Sequence, residues 1–134
     1  MTDGEFIEAL ESCTLPAAEF DHAAHVRACY LYLQSRDFGA ALTRMRTAIR
    51  NYSKALGKPE RYHETITVAY VALIQEHLDE RGDGGGWTAF AAHNRELLRP
   101  DLLLRFYSAA ELGTERARRI FVLPRPAATI AKGG

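Results

Sequence analysis

The spacing of apolar residues in the first part of the chain predicts two helices. Phe6 and Leu10 follow helical spacing near the N-terminus, and Pro16 then interrupts the pattern. Asp21 is a residue type that caps helix N-termini, and helical spacing resumes after it and continues to about Arg36. The segment therefore predicts a short N-terminal helix followed by a longer one.

Helical spacing continues through the rest of the chain. Residues 41–56 form a predicted helix that ends at Gly57, and residues 59–81 form the longest one, which ends at the glycine-rich segment 82–86. Residues 87–98 give a further helix, and shorter helical segments follow. Short connections between helices are typical of bundles. We predict an all-α fold, an up-down helical bundle of four main helices plus short terminal helices.

The length and composition indicate one globular domain. The chain has 134 residues, of which 47% are hydrophobic and 25% are charged, and these values are ordinary for a globular protein. A chain of this length can bury a substantial core. We expect a single helical domain over residues 1–123 and an extended or disordered tail over residues 124–134.

Charge and terminal sequence narrow the expected partners and location. Seventeen basic residues balance seventeen acidic ones, which argues against a nucleic-acid partner. The N-terminus has no signal-peptide pattern and no apolar run has the length of a membrane span, so we predict a cytoplasmic protein with no membrane partner. Cys13 and Cys29 are too few for a disulfide framework. A homodimer stays open, because a small bundle with this many aromatic residues can leave an apolar face to cover.

Three of the five histidines are predicted to meet at one end of the bundle. His22 and His25 lie three residues apart in the first turn of one helix and share a face of it. In an up-down bundle the helix that begins near Pro59 starts at the same end, which brings His63 close to the pair. A helix N-terminus disfavours imidazolium and so favours the neutral imidazole that binds metal. We predict that His22, His25 and His63 bind one metal ion.

Neighbouring residues are candidates for the chemistry around that metal. Glu64 is rotated by about 100° from His63, so we expect it to act as a general base or to support a ligand rather than to bind the metal. Tyr62 and Thr67 are expected to line the same pocket, and Cys29 could add a soft ligand. Among the C-terminal basic residues, Arg116 is the candidate to bind a substrate carboxylate or phosphate.

Three imidazole ligands leave positions open for water, dioxygen or a substrate. The sequence therefore predicts a divalent transition metal, Fe, Cu or Zn, in a small enzyme that acts on a small organic molecule by oxidative, oxygenase-type chemistry. A metal-activated water that attacks an electrophile is the alternative reaction. A non-enzymatic helical interaction module is the alternative class. In it, His22 caps the helix start or faces water there, His25 is hydrogen-bonded in the core and His63 is exposed.

The motifs carry a resemblance. The pattern Phe20-x-His22-x-x-His25-Val26, the run Tyr62-His63-Glu64-Thr65-Ile66-Thr67 and the later Phe121-Val122-x-Pro124 resemble a family of small uncharacterised bacterial helical proteins. The resemblance covers roughly residues 20–124 and implies a shared site rather than a reaction. A looser analogy is to DinB-like helical bundles, which place three histidines around a divalent metal, although here the close pair comes first. That analogy implies a metal-dependent hydrolase or transferase.

Overall fold

The computed structural model describes residues 1–125, and within this range the chain is helical without a β-strand. The all-α prediction is confirmed. Of the predicted tail, residues 126–134 lie outside the described part. The helices are α1 (Asp3–Glu11), α2 (His22–Leu33), α3 (Phe38–Ala55), α4 (Glu64–Arg81), α5 (Trp87–His93), α6 (Ala109–Leu112) and α7 (Glu115–Arg119). Short 3-10 turns cover Ala17–Glu19, Pro59–Arg61, Arg95–Leu98 and Leu102–Arg105.

Aspartate side chains fix the starts of the second and third helices. The Asp21 carboxylate accepts a hydrogen bond from the Ala24 N–H at 2.9 Å, and Asp37 does the same for Ala40 at 2.8 Å. Each bond satisfies one of the N–H groups that have no partner inside the helix. The predicted cap at Asp21 is confirmed.

Two predicted helices differ from the structure at an end. The helix expected from Pro59 is a 3-10 turn followed by α4, because His63 adopts an extended conformation and caps α4 with its own side chain. The helix expected over residues 87–98 ends at His93, since Asn94 leaves helical backbone angles and its side chain donates to the Phe90 carbonyl at 2.8 Å. Both interruptions come from side chains that bond locally to the backbone.

The three long helices α2, α3 and α4 pack against one another, and α1 packs against α3. Val26, Met45 and Ile74, one from each long helix, are fully buried at the centre. Burying a side chain of this size stabilises the fold by about 1.5–3 kcal/mol, because its apolar surface is removed from water. No helix within residues 1–125 is both long and apolar enough to cross a bilayer.

The C-terminal segment is bonded to the start of α4. The Thr65 hydroxyl donates to the Ile120 carbonyl at 2.8 Å and accepts from the Val122 N–H at 3.1 Å. The Tyr107 hydroxyl donates to the Val122 carbonyl at 2.7 Å. These bonds hold the last described residues beside the start of α4.

Candidate functional site

A cavity of about 270 Å³ lies where α2 and α4 begin, beside the C-terminal half of α3. Residues at or near the starts of α2 and α4 line this one cavity. The helix α3 supplies a wall at helical spacing. The lining residues are Ala17, Phe20, His25, Ile49, Tyr52, Ser53, Leu56, Arg61, His63, Ile66 and Thr67.

The imidazole of His25 lines the cavity and makes no hydrogen bond to another of residues 1–125. Its ring packs edge-on against Tyr70 with 5.8 Å between ring centroids. Burial, with a smaller effect from His22, lowers the pKa of His25 to about 4, so the ring is neutral at neutral pH. Neither ring nitrogen has a hydrogen-bond partner among residues 1–125, so the hydrogen-bonded core role considered from the sequence is not observed.

His63 also lines the cavity, but both of its ring nitrogens are occupied. Nδ1 accepts a hydrogen bond from the Ile66 N–H at 3.2 Å and thereby caps α4. Nε2 lies 2.7 Å from the Leu112 carbonyl oxygen, to which it must donate. The two bonds together require the Nε2-protonated neutral tautomer. A metal ion could bind His63 only by displacing one of these partners.

His22 is turned away from the cavity. Its Nε2 lies 3.0 Å from the Leu97 carbonyl oxygen and donates to it. Its ring packs edge-on against Tyr70 at 5.0 Å, on the same tyrosine that supports His25. His22 therefore anchors the start of α2 to the 3-10 turn Arg95–Leu98, and it is not among the residues that line the cavity.

The predicted metal site stays a prediction. In the described part of the chain no group of three or more His, Cys, Asp or Glu side chains is arranged to hold a metal ion. Of the predicted ligands, His25 and His63 share the cavity, whereas His22 does not. Cys29 lies in the core, where burial raises the pKa of its thiol, and so disfavours the thiolate that a soft ligand requires.

Glu64 and Tyr62 lie outside the cavity lining and form an ion-pair cluster with α3. Arg46 Nε donates to Glu64 Oε2 at 2.9 Å, and the Tyr62 hydroxyl donates to Oε1. Burial alone would raise the pKa of Glu64, but the bonds from Arg46 and Tyr62 and the charges of Arg46 and Arg50 outweigh it and lower the pKa. A carboxylate held this way is poorly suited to accept a proton from a substrate.

Two further predicted site residues, Thr67 and Arg116, differ in position: Thr67 lines the cavity and Arg116 does not. Thr67 is buried and lines the cavity, and its hydroxyl donates to the His63 carbonyl at 2.8 Å. Arg116 is exposed on α7 and is not among the lining residues. The expected pocket role of Thr67 therefore has a structural basis, and a substrate-binding role for Arg116 at this cavity has none.

Sequence reasoning missed Ser53 and Arg61. Ser53 is 7% exposed and lines the cavity, and its hydroxyl makes no hydrogen bond to another of residues 1–125. It interrupts an apolar stripe of α3 at i, i+3, i+4 and i+7, formed with Ile49, Tyr52 and Leu56, and this interruption was a readable signal. Arg61 is exposed on the turn before α4 and has no acidic partner in the described range.

Comparisons with protein-family models, curated proteins and solved structures return no match. The resemblance to small bacterial helical proteins and the DinB-like analogy therefore remain predictions. Function has to be inferred from the cavity and the chemistry of its lining.

Proposed function

We propose that the cavity binds a small organic molecule through His25, Ser53 and Arg61. The observation that carries the proposal is the neutral imidazole of His25, which is half-buried, lines the cavity and has no hydrogen-bond partner among residues 1–125. Because this ring borders the cavity and is neutral, a ligand in the cavity can accept a hydrogen bond from one ring nitrogen and donate one to the other. The proposal includes an up-down order of α2, α3 and α4, because that order would place the starts of α2 and α4 at the same end of the fold, beside the cavity.

The other polar residues of the lining already have hydrogen-bond partners in the protein, which supports the choice of these three as ligand-binding residues. The Tyr52 hydroxyl donates to the Leu15 carbonyl at 2.7 Å, and His63 and Thr67 are committed to the bonds described above. His25, Ser53 and Arg61 are left with free donors or acceptors. A pocket with apolar walls and a few uncommitted polar groups is the usual form of a small-molecule site.

The cavity volume sets the size of the molecule. At about 270 Å³ it lies just below the range of roughly 300–1,000 Å³ that holds drug-sized ligands. Phe20, Ile49, Leu56 and Ile66 give it apolar walls. We therefore expect a small ligand with an apolar body and few polar groups.

The pKa of His25 favours binding over proton abstraction. A general base works best when its pKa is near the working pH, and a pKa of about 4 makes His25 a weak base at neutral pH. Its neutral ring can still donate one hydrogen bond and accept another. Binding is accordingly the primary proposal, and catalysis would require a ligand that raises this pKa.

A metal-dependent reaction is the second proposal. In this proposal the protein would use Fe, Cu or Zn for the oxidative reaction on a small organic molecule that the sequence predicts. The alternative reaction is that of a metal-dependent hydrolase or transferase. The support for this second proposal is that the rings of His22 and His25 pack against the same tyrosine, Tyr70, with 5.0 and 5.8 Å between ring centroids. Elemental analysis of protein purified without a His tag tests it, and a substoichiometric metal content would contradict it.

Filling the cavity tests the primary proposal. Ser53→Leu places an apolar side chain into the cavity from α3, whereas Thr47→Leu adds the same bulk on the exposed face of that helix. We expect calorimetry with small aromatic and branched-aliphatic fragments to give saturable binding to the wild type and Thr47→Leu, and none to Ser53→Leu. Equal binding by both variants, with circular dichroism showing both folded, would contradict the cavity as the site.

A further inference from the structure

We infer that the molecule bound in this cavity is a small organic carboxylate whose charged group pairs with Arg61. The inference rests on the proposed function and names the ligand class. Among residues 1–125, no aspartate or glutamate lines the cavity, and Arg61 is the one lysine or arginine that does. A site with one cation and no acidic group complements a ligand with a single negative charge.

The helix ends add to the same preference. The cavity lies at the starts of α2 and α4, helices of 12 and 18 residues. The N-terminal end of a helix carries a partial positive charge that stabilises nearby anions. Ser53, more than nine-tenths buried and with an uncommitted hydroxyl, independently supplies a hydrogen-bond donor at the same cavity.

The walls distinguish an organic acid from an inorganic anion. Phe20 and Tyr52 pack edge-on with 5.1 Å between ring centroids, and aliphatic side chains from α3 and α4 complete the wall. An apolar group that binds against this surface is stabilised, because apolar area is removed from water. Phosphate and sulfate have no apolar group and lack this stabilisation. The body of the ligand is therefore apolar.

The position of Arg61 suits a carboxylate at the cavity rim. Its side chain is exposed on the 3-10 turn Pro59–Arg61, so the guanidinium can reach the ligand without a buried charge in the free protein. A guanidinium offers two parallel N–H groups that match the two oxygens of a carboxylate. Arg61 then determines specificity, and the neutral His25 contacts the rest of the ligand.

Paired acids and amides test the inference by isothermal titration calorimetry. The probes are benzoate, phenylacetate and isovalerate, each beside its neutral amide, with inorganic phosphate as the purely inorganic anion. We expect the carboxylates to bind wild type about tenfold or more tightly than the amides, which corresponds to one charge-assisted pair. Phosphate should bind more weakly than either.

The variants separate charge recognition from cavity binding. Arg61→Gln should remove the preference for acid over amide and leave amide affinity unchanged, and Arg61→Lys should retain part of the preference. Arg95→Gln, exposed and outside the cavity lining, is the matched control. Amides that bind as tightly as acids, or an acid preference that survives Arg61→Gln, would overturn the inference while the proposed function stands. Absence of binding by every probe would count against both.

Discussion

Two polar regions flank the start of α4, and they differ in how completely their groups are paired. In the ion-pair cluster, Glu64 accepts bonds from Arg46 and Tyr62, and Arg50 lies over the Tyr62 ring at 4.6 Å from its centroid. In the cavity, His25, Ser53 and Arg61 have uncommitted groups. Fully paired polar groups brace helices, whereas unpaired ones at a cavity are free to bind a ligand.

The two histidines of the cavity repeat this contrast within one residue type. His63 commits both ring nitrogens, one to cap α4 and one to the Leu112 carbonyl. Neither ring nitrogen of His25 bonds to any of residues 1–125, and its ring packs against Tyr70. We therefore assign His63 to the architecture of the site and His25 to the ligand.

The largest expected effect is the pH dependence that His25 gives to stability. Its pKa is about 4 in the folded protein against an ordinary value of 6.5, so the unfolded chain takes up a proton first as the pH falls. The free energy of unfolding should decrease between pH 6.5 and pH 4 by up to about 3 kcal/mol. Urea unfolding across this range should show a flatter profile for His25→Gln.

The exposed His93 offers the control for that experiment, since His93→Gln should keep the wild-type slope. A His25→Gln profile as steep as that of wild type would mean that folding does not lower the pKa of His25.

Breaking the ion-pair cluster should be the next largest change. Glu64→Ala leaves Arg46 and the Tyr62 hydroxyl without their acceptor, and the loss should be about 2 kcal/mol because Arg46 remains partly exposed to water. Chemical denaturation measures it, with the exposed Glu115→Ala as a near-neutral control. Retained stability combined with lost ligand affinity would instead place Glu64 in the site.

A cap-preserving substitution can isolate the role of His63. His63→Ala removes the α4 cap and the bond to Leu112 and should cost about 1–2 kcal/mol of stability. His63→Asn should recover part of the loss, because asparagine is a good N-cap residue. Equal losses in both variants would argue that capping is not the function of this side chain.

The smallest expected effect concerns the two candidate arginines. Arg116→Gln should leave carboxylate affinity within twofold of wild type, because Arg116 is exposed on α7 away from the lining. Calorimetry beside Arg61→Gln makes the comparison direct. A larger loss from Arg116→Gln than from Arg61→Gln would restore the role predicted for Arg116 from the sequence.

The sequence could predict features that depend on local rules. Asp21 caps α2 as expected, and helical periodicity predicted the all-α class that residues 1–125 show. These predictions succeeded because capping and helical periodicity act over a few residues.

Side-chain direction depended on contacts that are distant in sequence. His22 turns toward Leu97, 75 residues away, and His63 toward Leu112, 49 residues away. No local pattern encodes either contact, so the predicted three-histidine convergence could not be tested by spacing alone. The interruption of the apolar stripe of α3 at Ser53 was a local signal, but the cavity beside it forms only where helices that are distant in sequence pack together.

Localising a bound carboxylate tests the central claim most directly. In an NMR titration with benzoate, we predict saturable shifts at the His25 imidazole nitrogens and at the backbone amides of Ser53 and Arg61. The same titration should leave Ser53→Leu unshifted and Thr47→Leu like wild type. Saturable shifts confined to residues elsewhere on the molecule, or no shifts in wild type, would contradict the cavity as a binding site.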